Sequence, residues 1–366
     1  MGADALHMTR ALDLARRAEG FTAPNPMVGC VVVKDGEIVA EGWHKGAGLP
    51  HAEAEALLAA GRRAKGATLY VTLEPCNHHG RTPPCTAAIL RAGVAEVVYA
   101  ISDPNPVAAG GADMLRKRGV KVRSEVCPEK AAYLNRFWLH AQRSDRPYVI
   151  AKFAMSLDGK IATRLGDSKW ITGPEARERA HQLRQSVDAV IVGAGTIIAD
   201  DPALTARPLD REPAHPLRVV LDSAGRTKPG AKVYERVGNG ALVVTTSAAS
   251  CAQLDAYRAV GVEPLVLSAD DSGHPELREL LPALKSRGVN GVMVEGGSET
   301  LGAFFDAGLV DEVWAFIAPV IVGGGKPAVG GSGVSRIAEA WSLKDVEAES
   351  LGRDFLVRGL VSREGR

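Results

Sequence analysis

The sequence predicts two α/β domains in tandem, and three observations carry that expectation. The chain has 366 residues, more than a single hydrophobic core usually serves. Apolar runs of strand length alternate with longer amphipathic stretches along most of it. The alternation breaks near residues 140–148, where AQRSDRPY is polar and carries a proline. The expected domains are residues 1–144 and 148–366.

In the first domain, Thr9–Glu19 places Ala11, Leu12, Leu14, Ala15 and Ala18 on one side, which predicts a helix. VGCVVV (28–33) and IVAEGW (38–43) flank an Asp-Gly pair, the signature of a β-hairpin. HAEAEALLAAGRRA (51–64) reads as a helix and ATLYVTLE (67–74) as a buried strand. Thr82-Pro83-Pro84 suits an N-cap and first turn of a helix running to Arg91 and stopped at Gly93. AEVVYAI (95–101) is a strand, GADMLRKRG (111–119) a helix and VKVRSEV (120–126) a last strand. The second domain repeats the logic: strand YVIAKFAM (148–155), helix PEARERAHQLRQS (174–186), then strands AVIVGAG (189–195), LRVVLD (217–222), ALVVTT (241–246) and PLVLS (264–268). Helix PELRELLPALKS (275–286), strand GVMVEGG (291–297), helix ETLGAFFDAG (299–308) and strand EVWAFIAP (312–319) complete it.

Composition limits the function classes. A formal charge of +1 and 5% aromatics offer little to a nucleic acid. No stretch of about 18 unbroken apolar residues spans a membrane. The N-terminal segment carries Asp4, Asp13 and Glu19 and lacks the compact apolar core of a signal peptide. Five cysteines at 30, 76, 85, 127 and 251 form no disulfide framework, which fits a reducing cytoplasm.

The chemistry concentrates in TLEPCNHHGRTPPC (72–85) and, upstream, Pro50-His51-Ala52-Glu53. His51, Cys76 and Cys85 are the nitrogen and thiolate donors zinc favours, and three of them leave a position for water. Each is read as lying at or just before a helix N-terminus, where a thiolate is favoured. Glu53, two residues past a donor, suits a proton shuttle. A closed structural site, with His78 or His79 as fourth ligand, is the competing reading and leaves Glu53 without a task. Zinc deaminases carry H-x-E followed by P-C-x-x-C. This chain matches the first half and Pro75-Cys76, but separates its cysteines by eight residues.

That long form, with TAPNPMVGCVV (22–32) and SDPNP (102–106), resembles the deaminase domain of the bifunctional deaminase/reductase of riboflavin biosynthesis. The resemblance implies a cytidine-deaminase-like three-layer α/β/α fold and one zinc ion. It also implies substrate contacts from Asn25, and we read His78 and Arg81 as facing the substrate's polar or phosphorylated end.

AKFAMSLDGKIAT (151–163), SKWITGPEAR (168–177), LRQSVDAVIVGAGTIIADDPALTAR (183–207) and VEGGSETLGAF (294–304) resemble the reductase half of the same family. That half implies a dihydrofolate-reductase-like α/β fold and NADPH. Gly193-Ala194-Gly195 alone is a weak signal. Gly296-Gly297-Ser298, after a strand and opening a helix, suits a pyrophosphate cradle. Carried over residue by residue, the cofactor site comprises Ala154, Trp170, Thr196, Asp200, Gly297, Ser298, Glu299, Thr300, Leu301, Gly302 and Ala303. The substrate site comprises Ser168, Arg184, Leu204, Arg207 and Glu295, the two arginines suiting a ribose phosphate. Asp158 reads as a turn residue. The neighbour of the cofactor's 2′-phosphate is expected after ALVVTT, at Thr246-Ser247, although no Arg or Lys sits there.

The family implies deamination of a phosphoribosylaminopyrimidine and then reduction of its ribosyl group. The substrate is thus a phosphorylated pyrimidine, with no nucleic acid or membrane involved, in a cytoplasmic enzyme expected to be a homo-oligomer. A nucleic-acid deaminase and a non-catalytic zinc protein are the rival readings.

Overall fold

A computed structural model of the chain describes residues 2–80, 83–209 and 212–362. They divide into two compact units between Ser144 and Asp145.

The first unit is built on strands β1 (Gly29–Lys34), β2 (Glu37–Trp43), β3 (Thr68–Leu73), β4 (Glu96–Ile101) and β5 (Lys121–Arg123). Their order is β2-β1-β3-β4-β5, with β1 antiparallel to both neighbours and β3, β4 and β5 parallel. The predicted hairpin forms across Asp35 and Gly36, both at positive φ. Six helices cover the sheet: α1 (Ala3–Arg16), α2 (Ala52–Ala60), α3 (Cys85–Ala92), α4 (Gly111–Lys117), α5 (Pro128–Leu134) and α6 (Arg136–Ala141). Alternation along β1 sorts the two faces. Val31 and Val33 join Met8, Leu12 and Ala15 of α1 and Leu134 of α5 in one core cluster. Cys30 and Val32 join Ala56 of α2, Ile89 of α3 and Leu115 of α4 in the other. The result is a three-layer α/β/α sandwich.

Three expectations need correction here. The third helix begins at Cys85, with Pro84 as its N-cap and no side-chain cap. Thr82, the expected cap, lies outside the described residues. The strand expected over Val120–Val126 is only β5, because a turn into α5 follows directly. Helices α5 and α6 were not expected, and α6 ends inside the polar break.

The second unit contains β6 (Tyr148–Ser156), β7 (Lys160–Ala162), α7 (Pro174–Ser186), β8 (Ala189–Gly193) and α8 (Ala194–Asp200). Next come β9 (Leu217–Leu221), β10 (Ala241–Thr245), α9 (Cys251–Ala259), β11 (Glu263–Val266), α10 (Leu277–Lys285) and β12 (Gly291–Glu295). It closes with α11 (Ser298–Asp306), β13 (Glu312–Ala318), β14 (Lys326–Pro327), β15 (Ser342–Leu351) and β16 (Asp354–Ser362). The main sheet runs β11-β10-β9-β8-β12-β6-β13-β16-β15. From β11 to β13 it is parallel, and an antiparallel hairpin, β15–β16, extends it. The parallel strands read as continuous apolar runs because both faces are covered. Val190, Ile191, Val219, Val220, Val292 and Met293 are fully buried.

The strand expected through Gly195 stops at Gly193, which caps α8 instead. Helix α9 was missed, although Ser250 and Gln253 form a capping box. The β15–β16 hairpin was missed because SLKDVEAESL is mostly exposed and lacks a buried alternating face. At the sheet's edges, β11 contains Pro264, and β15 shifts register between Lys344 and Glu347. Asp158 proves to be a loop anchor: it accepts the Ser156 hydroxyl and the Val322 and Gly323 N–H groups.

Candidate active sites

In the first unit, His51 is the N-cap of α2, Cys76 follows β3, and Cys85 opens α3. The His51 Nδ1 lies 3.2 Å from Cys85 Sγ and 3.5 Å from Cys76 Sγ. All three donor atoms fall within 4.8 Å of one another, and among the described residues no fourth His, Cys, Asp or Glu joins them. His78 instead lines the adjacent cleft, its Nδ1 without a hydrogen-bond partner. The open three-donor arrangement is therefore present rather than a closed one.

Cys76 is not itself at a helix start, contrary to expectation. It receives the α3 N-terminus indirectly, because the Cys85 N–H donates to its Sγ at 3.4 Å. Hydrogen bonds from the Cys85 thiol and the His51 ring, working against burial, bring the Cys76 pKa down to about 4. The same hydrogen bond raises Cys85, as does its burial. One imidazole and two thiols, one of them shifted toward its thiolate form, fit zinc. Glu53 is 3% exposed. Burial and then the charge of Cys76 push its carboxyl up to about 7.

The cleft of about 400 Å³ in front of these groups is lined by Asn25, His44, Glu53, Cys76, His78 and Asp103, among others. Arg81 lies outside the described residues. In the wall of the cleft, the buried Glu74 accepts the Asp103 N–H at 3.3 Å and the Ala112 N–H at 3.0 Å. Gly111, the first residue of α4, touches the same segment: a Cβ there would stand 1.8 Å from Pro75 O. Sequence reasoning missed His44, which is 3% exposed and holds Asn25. A single His after a strand gives no pattern to find.

In the second unit, Glu295 ends β12 and sits opposite Lys152 of β6 in the parallel register. The Lys152 Nζ lies 3.0 Å from Glu295 Oε1, and Arg184 of α7 reaches both carboxylate oxygens at 2.6 and 2.7 Å. Burial alone would raise the Glu295 carboxyl, but Arg184 and Lys152 hold it well below the usual carboxylate range. The Arg184 Nη1 also donates to Thr205 O at 2.8 Å and lies 3.3 Å from His181 Nδ1. Its fork thus engages Glu295 and Thr205 beside the expected substrate residues. Burial, with Arg184 and Arg207 nearby, brings His181 down to about 4. Leu204 is buried at φ +53°, beside the exposed Arg207 on the same segment. Lys152 was legible as the lone charge in YVIAKFAM.

A second cavity of about 430 Å³ lies along the carboxyl ends of these strands. Ser168, Thr196, Asp200, Gly297, Glu299, Thr300 and Ala303 line it, as expected residues that the fold does bring together. Gly296 and Gly297 have φ of +98° and +80°, and turn the chain from β12 into α11. A Cβ on Gly297 would stand 3.2 Å from Thr300 Oγ1 and 3.6 Å from Thr196 Oγ1. Ser298, Leu301 and Gly302 are buried in the packing of α11 and do not line the cavity. Ala154 lies in β6 outside the lining. Trp170 is 70% exposed, with Arg177 stacked 4.7 Å over its ring. Asp200 pairs with Lys169 at 3.1 Å. Toward the β9 end the lining is Leu221, Ser223, Arg226 and His274 rather than Thr246-Ser247.

Comparisons with known proteins agree with this division. Residues 1–101 match the cytidine and deoxycytidylate deaminase zinc-binding region, and residues 147–357 the RibD C-terminal domain. The riboflavin biosynthesis protein RibD of Aquifex aeolicus is 44% identical over 355 residues, covering 97% of both chains. That of Escherichia coli is 41% identical, covering 96% of this chain and 97% of its own. Among solved structures, Acinetobacter baumannii RibD superposes with a TM-score of 0.87 at 38% identity, covering 98% of this chain and 99% of that one. The diaminohydroxyphosphoribosylaminopyrimidine deaminase/5-amino-6-(5-phosphoribosylamino)uracil reductase of Thermotoga maritima gives 0.85 at 37%, with the same coverage. Among the described residues no helix is long and apolar enough to cross a membrane. The chain belongs to the RibD family of riboflavin biosynthesis enzymes, with a zinc-type deaminase in its first unit and a pyrimidine reductase in its second.

Proposed function

We propose that the first unit hydrolytically deaminates 2,5-diamino-6-(5-phosphoribosylamino)pyrimidin-4(3H)-one. The second then reduces the ribosyl group with NADPH, giving 5-amino-6-(5-phosphoribitylamino)uracil. The observation that carries this reading is the convergence of His51, Cys76 and Cys85 beside the buried Glu53. A relative at 37% identity bears both activities in its name.

His51, Cys76 and Cys85 would hold zinc, which supplies Lewis acidity and lowers the pKa of a water toward neutrality. Glu53, with its carboxyl at about 7, is poised to move the water's two protons in turn, the first to the ring nitrogen and the second to the departing ammonia. Asn25 and His78 meet the substrate in the cleft. Arg81 is assigned to the substrate's phosphorylated end on residue type alone.

The second unit would hold NADPH, which when bound would supply the hydride for reduction at C1′ of the open, imine form of the substrate. The Gly296-Gly297 turn offers backbone N–H groups at the α11 start to the pyrophosphate. Thr196, Asp200, Glu299, Thr300 and Ala303 flank that seat. Ser298, Leu301 and Gly302 shape it from behind, while Ala154 and Trp170 serve at its border. The sheet order places β9 farther toward the β11 edge than β12, so Ser223 and Arg226 receive the adenosine end. Arg226 then suits the 2′-phosphate, and its fork favours NADPH over NADH. Glu295, kept ionised by Arg184 and Lys152, accepts from a substrate hydroxyl or amino group. Ser168, Arg184, Leu204 and Arg207 complete that side, with Arg184 and Arg207 on the ribose phosphate. The enzyme works on small molecules, as a cytoplasmic homo-oligomer. Five unpaired cysteines suit that reducing compartment.

The test is NADPH oxidation on adding the diaminopyrimidine to intact enzyme and to enzyme stripped by a zinc chelator. Oxidation should vanish on stripping and return with zinc. Oxidation indifferent to zinc would reverse the proposed order. No oxidation in either sample, with ammonia still released, would remove the reductase assignment.

A further inference from the structure

His44 does not appear among the zinc donors, yet it sits against them. It follows β2, its backbone N–H donates to Val28 O at 2.9 Å, and its ring meets that of His51 edge-on at 5.5 Å between centroids. It is 3% exposed, so its two ring nitrogens have few choices of partner. Nδ1 lies 3.1 Å from Pro50 O, and Nε2 lies 3.2 Å from Asn25 Nδ2.

A carbonyl oxygen can only accept, so Nδ1 carries the proton. The atom facing Nε2 is the Asn25 amide nitrogen, which can only donate, so Nε2 is the bare acceptor of a neutral ring. An acceptor at Nε2 requires the Asn25 amide to present its NH2 group there. The opposite rotamer would set two acceptors against each other at hydrogen-bond distance. The backbone of Asn25 is also held, because it lies between Pro24 and Pro26 and its N–H donates to Thr22 O at 2.8 Å. Asn25 Oδ1 is then the free end of the amide, at the wall of the cleft.

We propose that His44 is a positioning residue that fixes the Asn25 side chain with Oδ1 toward the substrate, so that the deaminase cleft demands a hydrogen-bond donor at that point. The donor is an amino group, a ring N–H or a hydroxyl of the bound pyrimidine nucleotide. A group that only accepts is rejected there, since the amide cannot turn without breaking the His44 contact. The chain of restraint starts at Pro50, the residue before the zinc donor His51, so donor placement and substrate selection share one segment. This proposal rests on the reading that Asn25 touches the substrate.

The experiment is a double-mutant cycle on zinc-loaded full-length enzyme, with His44→Phe, Asn25→Ala and the pair. Ammonia release gives the deaminase constants, and reduction of the deaminated substrate by the second unit controls for folding and concentration. Each single change should raise the deaminase KM by about tenfold, the worth of one neutral hydrogen bond, with kcat less affected. The double variant should be no worse than Asn25→Ala alone, because His44 acts through Asn25. Multiplying effects, or loss of zinc in His44→Phe at unchanged reductase activity, would overturn the proposal. An Asn25→Ala enzyme with unaltered KM would instead remove the substrate role of Asn25 itself. If His44→Phe does not fold, the ring nitrogen shifts of His44 in the parent enzyme decide. A protonated Nδ1 and bare Nε2 are expected, and a proton on Nε2 would refute the orientation.

Discussion

Gly111 offers a test of what holds the zinc donors in place. Its added Cβ would lie 1.8 Å from Pro75 O, whereas real Cβ contacts stay above 3.0 Å, so the two backbones would have to part by about 1.2 Å. The Thr86 methyl at 3.2 Å blocks a sideways escape. Pro75 immediately precedes Cys76, and donor distances in a zinc site tolerate only about 0.2 Å. A displacement several times that tolerance cannot be absorbed without moving Cys76 Sγ or breaking the Glu74–Ala112 hydrogen bond. Gly111→Ala should therefore weaken zinc binding by about 10- to 100-fold, as changes behind metal ligands generally do. Overpacking should also destabilise the first unit by about 1–3 kcal/mol. Competition against a chromogenic chelator measures the first effect, and thermal unfolding followed in the first unit the second. Zinc affinity within about twofold of the parent would show that α4 does not fix the Pro75–Cys76 segment.

Glu53→Gln should abolish ammonia release, by at least about 100-fold, while zinc content and reduction of the deaminated substrate stay at parental levels. Glu295→Gln leaves Lys152 and Arg184 without their anion, so the second unit should lose about 3–5 kcal/mol in urea unfolding as well as reductase activity. Arg226→Gln should raise the dissociation constant of 2′,5′-ADP by about tenfold or more and leave that of ADP unchanged, measured by calorimetry. Asp188 is partly buried, and burial raises its carboxyl from 3.8 to about 6 despite N–H groups donated by Asn290 and Gly291. A raised acid stabilises the folded state below its unfolded pKa, and that contribution fades as pH climbs through the folded one. Between about pH 4 and about pH 7 the second unit should lose up to about 3 kcal/mol from this group. Asp188→Asn, which keeps the acceptor oxygen, should flatten that limb in urea titrations.

Much of this was legible in residue order, for physical reasons. Parallel strands buried on both faces announce themselves as apolar runs, and ATLYVTLE and GVMVEGG ended where their functional residues begin. The zinc donors could be read because metal chemistry restricts residue type and because a turn or helix start follows each strand. What escaped were contacts that depend on register and packing. Lys152 meets Glu295 only because β6 and β12 align in parallel, a pairing no local pattern specifies. Arg184 could be chosen by residue type, but only the packed α7 shows its contacts with Glu295 and Thr205. His44 escaped because its importance lies in two hydrogen bonds, to residues 19 positions before it and 6 after. Short helices such as α5, α6 and α8 carry too few turns for periodicity to stand out.

The two borders of the large sheet bear on how the enzyme behaves when concentrated. An unpaired strand border invites other chains to add to it, which is a route to aggregation. At one border Pro264 removes a backbone donor from β11, so a recruited strand would lack a rung. At the other, β15 is ten residues long, but its register slips between Lys344 and Glu347, with Asp345 at φ +50°. That kink, and the charges of Lys344, Asp345, Glu347 and Glu349, deny an incoming chain a flat neutral template. A nine-stranded sheet can thus stay finite, and replacing Asp345 and Glu347 with threonine should turn a well-behaved enzyme into one that precipitates.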